Sequence, residues 1–159
     1  MENAICAFSG HRSLPPSAEE QLRRLLLQRI DALAEEGYTG FICGGAIGFD
    51  TLAAEAVIAA RARRPALTLT LAIPCPEQDR GWSEQQRARY RAALEAADET
   101  VLVSPAYHRY CMMQRNRYMV DHSRLLVCYL TSDKGGTAAT VRYALRRKLP
   151  VVNLALDME

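Results

Sequence analysis

The stretch Gly40-Phe41-Ile42-Cys43-Gly44-Gly45-Ala46-Ile47-Gly48-Phe49-Asp50, with the alanine-rich Thr51 to Arg64 behind it, decides the fold. An apolar run ends abruptly in glycines, and the glycines lead into strong helix formers that stop at Pro65. That is a strand, a tight turn and a helix. Glycine lets backbone approach a ligand closely, and the first turn of the following helix offers unpaired N–H groups and the positive end of its dipole. The combination predicts an anion site, with phosphate as its natural guest, at Gly44, Gly45, Ala46, Gly48 and Asp50. A plain strand-to-helix turn is the alternative. The loop matches neither GxGxxG nor the lysine-bearing P-loop, so it gives no sign of NAD binding or ATP hydrolysis.

The same unit recurs on both sides. Upstream, the apolar run Ala4 to Phe8 breaks at Ser9-Gly10, and Ala18 to Glu36 carries leucines at helical spacing, with Ser17 as its expected N-cap and Gly37 closing it. Downstream, Leu67 to Ile73 reads as a strand stopping at Pro74-Cys75-Pro76. Ser83 to Ala97 reads as a helix with a capping box from Ser83 to Gln86, and Glu99 to Val103 as a strand. Gln114 to His122 is helical, Leu125 to Leu130 a strand, Thr137 to Lys148 a helix and Pro150 to Leu154 a closing strand. Strands alternating with helices of this length require right-handed crossovers. The fold class is therefore α/β, a Rossmann-like, doubly wound, mostly parallel sheet with helices on both faces. No linker or repeat divides residues 1–159, so one domain is expected.

In such sheets ligands lie beyond the carboxyl ends of the strands, where strand order reverses. Two further loops fall there. Ser9-Gly10-His11-Arg12 follows the first strand, and Arg12 can fork onto phosphate while His11 can stack or donate. Lys134-Gly135-Gly136-Thr137 follows the fifth, with Thr137 placed to cap the last helix or to bond a phosphate oxygen. Arg115 and Asn116, in a helix with methionines on its other side, can face the same ligand; a solvated charged face is the other reading of that segment. Asp50 also has two readings, a carboxylate at the site or a stabiliser of the helix dipole.

Composition limits the partners. The chain has 159 residues, 49% hydrophobic and 24% charged, with a net charge of +2 and a pI of about 8.3, too mild a basic excess to indicate nucleic acid. No apolar stretch approaches a membrane span, and the N-terminus lacks the basic and apolar regions of a signal peptide, so a cytoplasmic protein is expected. Cys6, Cys43, Cys75, Cys111 and Cys128 are odd in number and form no CxxC pair; they read as reduced and structural, with no metal site. His108 and His122 read as surface residues, no nucleophile has an evident base, and the sequence requires no cofactor. The alanine-rich Thr51 to Arg64 and the aromatic Trp82, Tyr107 and Tyr110 are candidates for a subunit contact.

Taken together, FSGHR, GGAIGFD, PCPEQDRGW, RNRYMVDHS and GGTAATVRYA resemble the YpsA-type branch of the SLOG superfamily, from Phe8 to about Val152. The resemblance implies a Rossmann-like sheet, homo-oligomers, and a nucleotide-derived ligand of ADP-ribose type. It sets the phosphates against Gly44, Gly45, Gly48, Asp50, Gly135, Gly136 and Thr137, with Gly10, Arg12, Arg115 and Asn116 at the rim. A small-molecule sensor or regulatory protein is the leading expectation. Two related groups offer alternatives. The LOG phosphoribohydrolases couple an arginine to PGGxGTxxE; Arg115 fits that arginine, but Thr-Ala-Ala-Thr-Val-Arg follows Gly136 and holds no glutamate. The DprA proteins carry a similar GGAxGID loop and bind single-stranded DNA, for which this chain offers Arg61, Arg63, Arg64, Arg142, Arg146 and Arg147. Nucleic acid is the less favoured partner, because arginines on helices are ordinarily solvated.

Overall fold

Apolar runs ending in glycine or proline become strands, and the helical periods between them become crossover helices. The computed structural model describes residues 4–158. It contains strands β1 (Ala4–Gly10), β2 (Tyr38–Cys43), β3 (Thr68–Ile73), β4 (Glu99–Leu102), β5 (Leu125–Tyr129) and β6 (Val151–Asn153). Between them run helices α1 (Pro16–Glu35), α2 (Phe49–Arg63), α3 (Glu84–Ala96), α4 (Cys111–Asp121) and α5 (Gly136–Arg146), and a short 3-10 turn follows β6. All pairings are parallel, in the order β4-β3-β2-β1-β5-β6. The chain steps outward from β1 to β4, then returns to β5 on the other side of β1. This reversal opens a crevice beyond the ends of β1 and β5, as expected of a doubly wound sheet.

Alternation along each strand divides the core. Cys6, Phe8, Phe41, Cys43, Leu69 and Leu71 face α1, α2 and α3, whereas Ala7, Ile42, Ala72, Leu126 and Cys128 face α4 and α5. On the first side Phe8 stacks on Phe41 at 5.8 Å and meets Phe49 edge-on at 6.4 Å, so the start of α2 is pinned to the centre of the sheet. The alanines of α2 serve the same end. Ala53, Ala54, Ala56 and Ala60 are buried, letting α2 lie close to α1 and the sheet. Trp82 is likewise turned inward, edge-on to the buried Tyr90 at 5.2 Å, while Tyr107 and Tyr110 are exposed.

Helix ends depart from the sequence reading, most at α4, which begins at Cys111, three residues before the expected Gln114. Helix α1 starts at Pro16, with Pro15 as the N-cap residue and no side-chain capping bond, so Ser17 lies inside the first turn. A proline there has a preset φ and lacks an N–H that would be unpaired in any case. Helix α5 starts one residue earlier than expected, at Gly136, so Thr137 sits in its first turn instead of capping it. The box at α3 is present in full: Ser83 Oγ accepts from the Gln86 N–H at 3.1 Å, and Gln86 Oε1 accepts from the Ser83 N–H at 3.0 Å. Ser83→Ala should therefore cost about 1 kcal/mol of unfolding free energy in urea titration, with the denaturant slope unchanged.

Candidate functional site

The crevice between the ends of β1 and β5 holds a cavity of about 270 Å³, lined by Ser9, Gly10, His11, Arg12, Ala46, Asp50, Met112, Arg115, Asn116, Gly136 and Thr137. Loops after β1, β2 and β5 thus meet α4, and most of the expected site residues come together. Gly44, Gly45, Gly48 and Gly135 do not line it. A side chain at Gly44 would run into the Arg115 guanidinium, and one at Gly48, which has φ of +80°, would strike the backbone carbonyls of His11 and Arg12. These two glycines make room for other parts of the protein. Gly136 differs: nothing lies near where its Cβ would stand, and it opens the first turn of α5, whose leading N–H groups have no partner within the helix.

Arg115 sits on α4 but reaches across to the sheet. It is only 3% exposed, and its Nη1 donates to the Gly44 carbonyl at 2.6 Å, to Gln78 Oε1 at 3.2 Å and to the Ala72 carbonyl at 3.3 Å. Its Nε donates to Asn116 Oδ1 at 2.8 Å, leaving the Asn116 amide N–H groups for other partners. Its Nη2 has no oxygen partner among the described residues, only the Met112 sulfur at 4.0 Å. Gln78, which was not singled out in the sequence, completes the cluster by donating from Nε2 to the same Gly44 carbonyl at 3.1 Å. The signal lay in PCPEQDRGW, whose polar residues follow a strand end, but nothing in the order of residues showed which of them turns inward.

Asp50, in the first turn of α2, is the acid in this cavity. It is buried, and its Oδ2 accepts from the Ala46 N–H at 3.4 Å. Burial raises its carboxyl to about 6, a rise that Arg115, the Ala46 N–H, Arg12 and the Gly44 N–H partly oppose. The Arg115 guanidinium is shifted downward, first by burial and against the pull of Asp50, though a guanidinium stays charged throughout the physiological range. His11 ties the loops together: its carbonyl accepts from the Phe49 N–H at 3.1 Å, and its Nε2 accepts from the Thr131 N–H at 2.9 Å. The second bond requires the neutral ring to carry its proton on Nδ1, and burial moves its pKa down in keeping with that. His11 is thus a structural joint at the cavity wall.

No group of three or more histidine, cysteine, aspartate or glutamate side chains is arranged for a metal among the described residues. No helix among them is long and apolar enough to cross a membrane. The five cysteines are buried, and burial pushes the thiols of Cys6 and Cys43 upward and that of Cys128 to about 12.

The fold and the crevice define a Rossmann-like α/β protein with a charged site at its topological switch point. The chain belongs to the YpsA family, described as the YspA SLOG family, whose model matches residues 16–152. It is 33% identical over 163 aligned residues to the SPbeta prophage-derived protein YoqJ of Bacillus subtilis, covering 87% of this chain and 93% of that protein. It is 32% identical to the UPF0398 protein BH1768 of Halalkalibacterium halodurans, covering 73% of this chain and 62% of that longer one. Two solved structures share the fold. DNA processing protein A of Helicobacter pylori, described with a single-stranded DNA binding mode, aligns with TM-score 0.65 and 20% identity, over 93% of this chain and 63% of that one. The molybdenum cofactor binding protein of Rippkaea orientalis aligns with TM-score 0.60 and 19% identity, over 95% and 76%.

Between the usual carboxylate range and about pH 6, folded protein keeps a proton on Asp50 that the unfolded chain has released, so stability falls as pH rises through that window. Asp50→Asn should remove this part of the pH dependence. It should also be the more stable protein above pH 6 by a few kcal/mol, at about 1.4 kcal/mol per pKa unit. Urea unfolding of both proteins from pH 4 to 8 measures it.

Proposed function

We propose that this cavity binds the phosphate of a nucleotide or nucleotide-derived ligand and that the protein acts as a sensor or regulatory protein for it. The observation that carries the reading is the convergence of Arg12, the unshared Nη2 of Arg115 and the first turn of α5 on one cavity. Buried guanidinium and helix N-terminal N–H groups are the two protein groups best suited to a phosphate. A cytoplasmic setting fits a ligand of this class. The exposed Leu102, Tyr107, Tyr110, Met113, Leu145 and Leu156 are apolar side chains available for self-association.

A second reading, N-glycosidic cleavage of a nucleoside monophosphate, has one specific observation in its favour. Asp50 lines the same cavity as Arg115, so a carboxylate is present beside the arginine although no glutamate follows Gly136. In that reaction Arg115 holds the phosphate and ionised Asp50 stabilises positive charge developing at the ribose carbon. Release of adenine from AMP by the wild type, absent in Asp50→Asn, is the result that favours it over simple binding. The single-stranded DNA reading loses support from the RARR segment. Arg61 is paired with Asp98 at 2.7 Å, and Arg63 and Arg64 with Asp31 at 3.2 and 3.1 Å.

Gly136→Asp tests the binding reading directly. The substitution meets open space at a permitted backbone conformation, and an acid in the first turn of a helix does not destabilise it. In a thermal-shift panel of AMP, ADP, ADP-ribose and NAD, at least one compound should raise the wild-type Tm and leave that of Gly136→Asp unmoved, because binding to the native state raises apparent stability. A panel with no shift in the wild type would overturn the proposal.

A further inference from the structure

Beside the phosphate cavity lies a second, larger one of about 480 Å³, in the groove between α4 and α5. The two share Met112, Asn116 and Gly136, so they adjoin. The groove's walls carry Arg109, Arg117, Arg142 and Arg146 around the ring of Tyr143, and no carboxylate lines it. Arg117 lies over the Tyr143 ring at 4.9 Å and Arg146 at 5.8 Å, while Arg142 donates to the Asp133 carbonyl at 3.2 Å. None of the four arginines has a carboxylate partner among the described residues. Several arginines elsewhere do have carboxylate partners: Arg61 is paired with Asp98, Arg89 with Glu55 and Arg64 with Asp31 and Glu35. Asp121, whose carboxylate accepts from the groove's Tyr143 hydroxyl at 2.7 Å, is paired with Arg147 at 3.4 Å.

Concentrating unpaired guanidinium groups is unfavourable unless an anion joins them. A second copy of the chain is a poor occupant, because a two-fold contact there would bring arginine against arginine. A long polyanion needs a cationic track continuing past the groove, and the RARR arginines are neutralised. Size gives the positive argument. At about 270 Å³ the phosphate cavity falls below the roughly 300–1,000 Å³ that encloses a ligand of drug size, whereas the groove lies within that range. The groove also offers what a nucleobase needs: guanidinium planes to stack on, with the adaptable Met112 and Met113 among its lining.

We propose that the α4–α5 groove is a second subsite, which takes the distal phosphate and ring of a small ligand joined through a pyrophosphate, while the cavity at β1 and β5 holds the proximal phosphate. The inference rests on the phosphate reading of that cavity and deepens it: the ligand class becomes a dinucleotide-type pyrophosphate and not a mononucleotide.

Isothermal titration of the full chain with AMP and with NAD tests this, using Arg142→Ala/Arg146→Ala to alter the groove alone and Arg12→Glu to alter the cavity alone. The wild type should bind NAD at least tenfold more tightly than AMP. The groove variant should lose that advantage and retain AMP affinity within twofold, and Arg12→Glu should weaken both ligands by tenfold or more. Equal wild-type affinity for AMP and NAD overturns the groove assignment and leaves the cavity reading standing. Equal loss of both ligands in the groove variant, with its circular dichroism spectrum and Tm unchanged, also overturns it. Failure of both compounds to bind the wild type overturns the two readings together. Binding of oligo-dT at physiological salt that depends on Arg142 and Arg146, with no NAD advantage, transfers the groove to nucleic acid.

Discussion

One buried cation organises this site. The guanidinium of Arg115 is removed from water, and such a group is tolerated inside a protein only when oxygen acceptors replace its hydration. Here the Gly44 and Ala72 carbonyls and the Gln78 amide do so, joining the ends of β2 and β3 to α4 on the far side of the sheet. Gly44 must lack a side chain for the approach to happen at all. Asp50 stands close enough to be pulled electrostatically without being the partner that fixes the arginine in place.

In that arrangement Asp50 carries a cost of its own. A carboxyl raised toward neutrality by burial weakens the folded state wherever it ionises, and an asparagine would fill the same space. Residues kept at a loss to stability tend to cluster where a protein does its work. When ionised, Asp50 moderates the field of Arg115 and Arg12, so the cavity does not hold a full unopposed double charge.

The sheet was legible because its signals are local. Apolar runs ended by glycine or proline, helical periods and the Ser83 box each announce an element within a few residues, and the loops after β1, β2 and β5 follow from the topology. The site was legible only in part. Glycines at positions 44 and 48 look identical in sequence to glycines that cradle a ligand, yet they face Arg115 and the His11–Arg12 backbone; which of several glycines stays open depends on contacts far apart in the chain. Gln78 and Met112 were missed for the same reason. The alanines of α2 looked like a contact surface, but small side chains serve equally to bring two helices of one chain together. Caps drifted by a residue or two where proline or glycine displaced the hydroxyl residue expected there.

The joint formed by His11 has a consequence for how such a site diverges. Its carbonyl holds the start of α2 and its ring holds the loop after β5, so the cavity floor behaves as one welded part: a change in any loop displaces the other two. Outside this joint the side chains of Arg12 and Met112 meet each other at 3.8 Å, and turns of α4 and α5 are exposed. A lineage descending from this scaffold can therefore exchange its rim freely while its floor stays fixed. It would acquire new ligands by redecorating the doorway instead of rebuilding the room.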